Sequence, residues 1–300
     1  MWASVQNERR LRSTRTERVA MERQPLMLAF SNQKGGVGKT SNLFHLAGEF
    51  AKRKKRVLVV DCDPQGSLSQ VFFGSEKWEQ LPRERTLAEV FSRWNDSVVP
   101  DWQGLIFETP VDNIYVVPSH LSLLELNLST WDDEQDLALL HFLDDEEALP
   151  VFDVVFFDTP PNLQLLTWSA MIACAAGRYG GVVTPLIPED FASQGLVHVK
   201  RFIERVRERR FPELAWTGLC LCMVQSRLSV HIAYEEQIRN AYNDLVFSPT
   251  IPQASVFKEA ISARTPVSLF KPQTAGAKQV AALADEVLKR ARKKQTRKAA

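Results

Sequence analysis

The sequence predicts an α/β fold, a mainly parallel twisted sheet with helices on both faces, and three observations carry that prediction. From Leu26 onward, short apolar runs that suit buried strands alternate with stretches of helical periodicity. A loop rich in glycine and lysine joins the first strand-like run to the first helical stretch. Two other runs end in aspartate, at the strand ends where open α/β sheets gather their ligands.

Taken in order, residues 1–24 are polar, carry Arg9, Arg10, Arg12, Arg15, Arg18 and Arg23, and lack an apolar periodicity able to bury; a flexible basic arm is expected there. Leu26–Phe30 reads as the first strand, and Leu43, Phe44, Leu46, Ala47, Phe50 and Ala51 recur at helical spacing behind the loop. Further strands are expected at Val57–Val60, Ile114–Val117, Val154–Phe157, Val182–Thr184 and Leu219–Val224. Glu125–Glu147 holds nine acidic residues and no lysine or arginine, which suggests a solvated helical face or a docking surface. Near the end, Val280, Leu283, Val287 and Leu288 form an apolar stripe, followed by a basic tail. The expected organisation is a flexible basic arm at 1–24, one α/β domain at 25–290 and a basic tail at 291–300.

The loop reads Ser-Asn-Gln-Lys-Gly-Gly-Val-Gly-Lys-Thr-Ser over residues 31–41. It is a variant of the phosphate-binding pattern, since Gln33 stands where the ordinary pattern has its first glycine. Glycines let successive N–H groups turn round an anion, and the following helix offers its positive end. Gly35, Gly36, Val37, Gly38, Lys39, Thr40 and Ser41 are therefore the candidate nucleotide cradle of a P-loop NTPase. Lys39 adds a charge at the β and γ phosphates, and the Thr40 hydroxyl suits a Mg²⁺ ligand.

Asp61-Cys62-Asp63-Pro64-Gln65-Gly66 ends the second strand and Asp158-Thr159-Pro160-Pro161 ends another. Hydrolysis needs a positioned water and a metal anchor. Asp63 is the candidate for the first and Asp61, joining the Mg²⁺ shell, for the second; Asp158 is expected to support Mg²⁺ through water, and the stiff Thr-Pro-Pro segment is a candidate sensor of the γ phosphate.

Bulk properties set limits. The 300 residues are 45% apolar, enough for one large α/β core, and the net charge of +1 does not by itself announce a nucleic-acid binder. Cys62, Cys174, Cys220 and Cys222 lack metal-site spacing and read as core residues or free thiols. There is no apolar run of about 18 residues and no apolar segment behind the N-terminal arginines, so neither a membrane span nor a secretory signal is expected. A cytoplasmic location follows.

Lys34 to Thr40, Asp61 to Gly66 and Asp158 to Pro161 resemble, in order, the three signature motifs of the ParA/MinD family of deviant Walker A ATPases. Thr184-Pro185-x-x-Pro188-Glu189, Thr250-Ile251-Pro252, Glu259-Ala260, Lys271-Pro272 and Gly276-Ala277 point to its ParA branch, and the likeness covers roughly residues 26–290. The resemblance implies a Mg²⁺-dependent ATPase with slow intrinsic turnover that forms a homodimer around two ATP molecules. In such a dimer Lys34 reaches the partner's nucleotide, and adenine lies near Gln225 and Pro252. It also implies non-specific DNA binding, nucleoid association and a ParB-like or cargo-adaptor partner that stimulates hydrolysis.

Where this family carries arginine after Ile-Pro, the chain has Gln253, Ala254 and Ser255. The candidate DNA contacts are therefore Lys258, Arg264, Lys271 and Lys278, with two other basic clusters beside them. One is Lys200, Arg201, Arg205, Arg207, Arg209 and Arg210; the other is the tail, Lys289, Arg290, Arg292, Lys293, Lys294, Arg297 and Lys298. Two other classes stay open. A MinD-like membrane switch would use the 280–288 stripe, although that stripe better suits a core helix. A metabolic or cluster-assembly ATPase on the same fold would need a substrate pocket or paired cluster cysteines.

Overall fold

The computed structural model describes residues 25–94, 102–127, 134–143, 151–175, 177, 179–189, 192–209 and 211–299. The basic arm, Arg210, much of the acidic stretch and the side chains beyond Ala291 lie outside what is described. Among the described residues, seven strands form one sheet: β1 (Leu26–Phe30), β2 (Val57–Asp61), β3 (Phe107–Glu108), β4 (Ile114–Val117), β5 (Val154–Asp158), β6 (Tyr179–Leu186) and β7 (Ala215–Leu221). The helices are α1 (Lys39–Lys52), α2 (Ser67–Phe73), α3 (Ser75–Glu79), α4 (Leu87–Trp94), α5 (Trp102–Leu105) and α6 (Ala138–Leu143). They continue with α7 (Leu165–Cys174), α8 (Ala192–Arg209), α9 (Ser229–Tyr242), α10 (Ser255–Ser262), α11 (Val267–Phe270) and α12 (Ala275–Ala299).

The strand order is β3-β4-β2-β5-β1-β6-β7, parallel throughout except for the antiparallel edge strand β3. Side chains alternate across each strand. Leu26, Leu28 and Phe30 of β1 therefore join α1, α10, α11 and α12 in one core, while Met27 and Ala29 join α4, α6, α7 and α8 in the other. All ten residues of α7 are buried, which explains why it is apolar on every side. Chain direction reverses around β1: after β1 the chain passes to β2 on one side of it, and after β5 it passes to β6 on the other. That reversal opens a crevice at the carboxyl ends of the central strands.

Several expectations change. β6 and β7 begin three and four residues earlier than the apolar runs suggest, and β7 stops at Leu221 because Met223 takes a left-handed φ of 52°. The short edge strand β3 was not expected. The acidic stretch is not simply a solvated face: Asp136 is buried and accepts a bond from Trp168 Nε1 at 2.6 Å, and Leu139, Phe142 and Leu143 of α6 belong to the core. α12 continues unbroken through residue 290 to Ala299. Its stripe faces inward, with Val280, Leu283 and Val287 at most 2% exposed.

Candidate functional site

The loop between β1 and α1 is shaped by its glycines. Gly36 and Gly38 have φ values of 73° and 86°, and a side chain at Gly38 would collide with Asn42 Nδ2 at 2.9 Å. Gly38 also caps α1, which has no acidic residue in its first turn to offset its positive end. Asn32 holds the loop at its start, donating to Pro185 O at 2.7 Å and accepting from the Lys34 N–H at 3.0 Å. Asn42 holds its end, donating to Gly38 O at 2.6 Å and to Cys222 Sγ at 3.1 Å.

The two lysines of the loop differ in kind. Lys39 curls under it, donating to Asn32 O at 3.2 Å and Lys34 O at 3.4 Å; burial lowers its pKa, opposed by the charges of Asp158 and Asp63. Lys34 points outward, about half exposed, and pairs with Glu189 at 3.3 Å. Gln33 is engaged as well, 2.6 Å from His198 Nδ1 on α8.

β2 and β5 are neighbours with Asp61 opposite Asp158, so their terminal carboxylates lie side by side. Asp158 is fully buried, which pushes its pKa up to about 7 against the pull of the Thr40 hydroxyl bond. Thr40 Oγ1 donates to Asp158 Oδ2 at 2.6 Å, while Asp158 Oδ1 is buried with no hydrogen-bond partner. An orphaned buried oxygen beside a hydroxyl whose lone pairs stay free fits a hard divalent cation such as Mg²⁺.

Asp61 is placed differently. Its Oδ2 accepts from Ser69 N at 2.8 Å and Ser69 Oγ at 2.6 Å, and its Oδ1 accepts from Asp63 N at 3.2 Å. Burial first, and Asp158 next, push its pKa well up. Asp63 is raised by burial too, although the Gln65 N–H and Lys39 oppose the shift. Its Oδ1 accepts from Gln65 N at 3.0 Å.

At the far side of the loop, Val224 N donates to Ile251 O and Gln253 N to Val224 O, both at 3.0 Å, which brings Gln225 and Pro252 together. Met223 lies beside Gly38, so this corner borders the phosphate loop. Lys258, Arg264, Lys271 and Lys278 are all exposed, on or beside α10, α11 and the start of α12. Lys271 pairs with Glu259 at 2.6 Å, and the Arg264 guanidinium lies against Gly74.

Some basic residues grouped by sequence serve the fold instead. Arg290 stacks 4.1 Å over Phe247 and donates to the carbonyls of Thr217, Leu245 and Val246 at 2.8 to 3.0 Å. Arg207 Nε donates to Leu214 O at 2.8 Å, and Arg209 lies 5.3 Å over Trp168. Arg201 and Arg205 remain exposed on α8. Sequence reasoning missed Asn32, Asn42, Ser69, Trp78 and Ser119; only Asn32, inside the loop motif, carried a local signal.

A family profile described as an AAA domain matches residues 26–216. The chromosome partitioning protein ParA of Caulobacter vibrioides is 34% identical over 93% of this chain and 100% of its own length. The sporulation initiation inhibitor protein Soj of Bacillus subtilis is 31% identical over 87% and 97% respectively. Among solved structures, cobyrinic acid a,c-diamide synthase from Mycobacterium smegmatis, with bound ATP analogue and magnesium, has a TM-score of 0.71 and 24% identity over 88% of this chain and 95% of its own. At that identity the likeness speaks for the fold, one that in that protein binds an ATP analogue and magnesium. The profile match and the near full-length identity to partition proteins establish that the chain belongs to the ParA/MinD family of P-loop ATPases.

Proposed function

We propose that the protein is an ATP-driven partition or positioning switch. It dimerises around ATP, the dimer binds DNA without sequence preference, and hydrolysis stimulated by a ParB-like or cargo-adaptor partner resets it. The observation that carries this reading is the division of labour within one loop. Lys39 is buried among loop carbonyls and carboxylates, whereas Lys34, five residues earlier, faces solvent on a single exposed ion pair. A cation held inward serves the chain's own phosphates, and one held outward is available to a second molecule's.

In this reading the amides from Gly35 to Ser41 and the Lys39 ammonium bind the triphosphate. Thr40 and the free oxygen of Asp158 hold Mg²⁺, which offsets phosphate charge when bound. Asp61, with both oxygens engaged by Ser69 and Asp63, braces the turn and reaches the metal only through water. Asp63, whose burial favours proton uptake, orients the attacking water. Gln225 and Pro252 border the adenine. The basic surface is the α10–α12 face, the exposed arginines of α8 lying across the sheet from it, and the ATPase domain at 25–290 is flanked by the basic arm and tail. The protein works in the cytoplasm on the nucleoid. The inward stripe of α12 favours this over a MinD-like membrane anchor, and no described helix is long and apolar enough to cross a membrane.

The test is binding to non-specific duplex DNA and, in parallel, to anionic liposomes, with ATP, ADP or no nucleotide across a salt series. ATP-dependent DNA binding whose log affinity falls by about 0.9 per phosphate contact per log unit of salt supports the reading. ATP-dependent liposome binding without DNA binding overturns it in favour of the membrane switch.

A further inference from the structure

Asp63 sits at the middle of a tight turn, residues 61–66, with three internal bonds: Asp63 N to Asp61 Oδ1, Gln65 N to Asp63 Oδ1, and Gly66 N to Asp63 O at 2.8 Å. From outside, the strand end is tied by Cys62 N to Asp158 O at 2.9 Å and the helix end by Gln70, which bonds Gln65 O and Gly66 O, but the bond that reaches Asp63 itself from outside the turn, among the described residues, comes from one residue. Ser119, just beyond the end of β4, is wholly buried. Its Oγ donates to Asp63 O at 2.5 Å, and its N–H donates to Ser69 Oγ at 3.0 Å, the same hydroxyl that bonds Asp61. Its carbonyl accepts from Trp78 Nε1 at 2.8 Å. The Trp78 ring in turn covers Gly66, leaving no room for a side chain there. All three polar groups of Ser119 thus brace the two ends and the middle of one short turn.

We infer that Ser119 is a positioning residue for hydrolysis: it fixes the Asp63 backbone to the sheet, so that the carboxylate meets the attacking water at a set place. The inference rests on the proposed role of Asp63. A burial requirement alone does not explain it, because a buried serine at a strand end is satisfied by a single acceptor, whereas here the hydroxyl, the amide and the carbonyl are all directed at the same turn or its supports. Removing the hydroxyl leaves Asp63 O still bonded to Gly66 N, so no buried group is orphaned and the fold should persist. What is lost is placement, and misplacement of a catalytic group by about 1 Å can cost about 100-fold in rate.

The experiment uses the full chain with Ser119→Ala, Asp63→Asn and the double variant, measuring equilibrium binding of a fluorescent ATP analogue, single-turnover ATP hydrolysis and thermal unfolding. The expected result for Ser119→Ala is a rate lower by about 10- to 100-fold with nucleotide affinity within about twofold of the parent. In the Asp63→Asn background the same change should cost nothing further, since residues acting as a unit are non-additive. Should Ser119→Ala lose nucleotide binding through misfolding, Trp78→Phe carries the test: it keeps a ring over Gly66, removes the bond to Ser119 O, and should lower the rate without altering affinity. A normal rate in Ser119→Ala with a depressed rate in Asp63→Asn overturns the inference alone. A normal rate in Asp63→Asn overturns the reading of Asp63 and this inference with it. Equal further loss in both backgrounds shows that Ser119 acts independently of Asp63 and overturns the inference.

Discussion

Replacing Asp158 by asparagine should make the metal-free protein more stable while removing its ability to use Mg·ATP. The carboxyl titrates at about 7 in the fold against 3.8 when unperturbed, because burial disfavours its charge. Between those values the folded protein holds a proton that the unfolded chain has released, so stability falls as pH rises through the window and the full loss is present above it. A displacement of that size corresponds to about 4 kcal/mol. Asparagine does not ionise and escapes the loss, keeps an acceptor for Thr40 Oγ1, but buries an Nδ2 donor where Asp158 Oδ1 now has no partner, at a cost of about 1–3 kcal/mol. Relief of the charge on neighbouring Asp61 acts in the variant's favour. The net expectation is a gain of about 1–3 kcal/mol near pH 8.5 and none, or a loss, near pH 5. Urea unfolding of both proteins in chelator at the two pH values measures it, with Mg²⁺-dependent hydrolysis assayed alongside. A variant less stable than the parent near pH 8.5 without metal would refute the reasoning, since it would mean that the ionised carboxylate stabilises the fold rather than waiting on a cation.

Lys39→Ala should abolish ATP binding in a filter or fluorescence assay, whereas Asp63→Ala should bind ATP normally and fail to release phosphate. Lys34→Ala should retain ATP yet stay monomeric and lose DNA; normal ATP-dependent dimerisation of that variant would sink the cross-interface role. Arg290→Ala should destabilise the protein by about 2–4 kcal/mol in urea unfolding, because a ring contact and three carbonyl partners are lost together, and should leave the salt slope of DNA binding unchanged. Lys258→Glu should lower that slope by about 1 if the α10–α12 face touches phosphate.

What the sequence disclosed was local. The apolar run Leu26–Phe30, the glycines behind it and the periodicity from Leu43 to Ala51 together made strand, loop and helix legible, because each signal lies within a few residues of the next. The insertion of β5 between β1 and β2 was not legible, since parallel strand order is decided by packing between segments about a hundred residues apart. Separation along the chain also hid Ser119, 56 residues from Asp63, and a single serine carries no periodicity to betray it. Arg290 looked like the first part of a solvated tail because charge runs usually are one. In the fold it reaches back over Phe247, and only the packing of α12 against β7 and the segment after α9 shows that.

The central claim is an ATP-dependent dimer, and light scattering on Asp63→Ala with Mg·ATP, then with Mg·ADP, tests it most directly. The expected result is twice the 34.0 kDa chain mass with ATP, the chain mass with ADP, and monomer in both once Lys34→Ala is added. A monomer at saturating ATP, with binding of the nucleotide verified in the same sample, would contradict it.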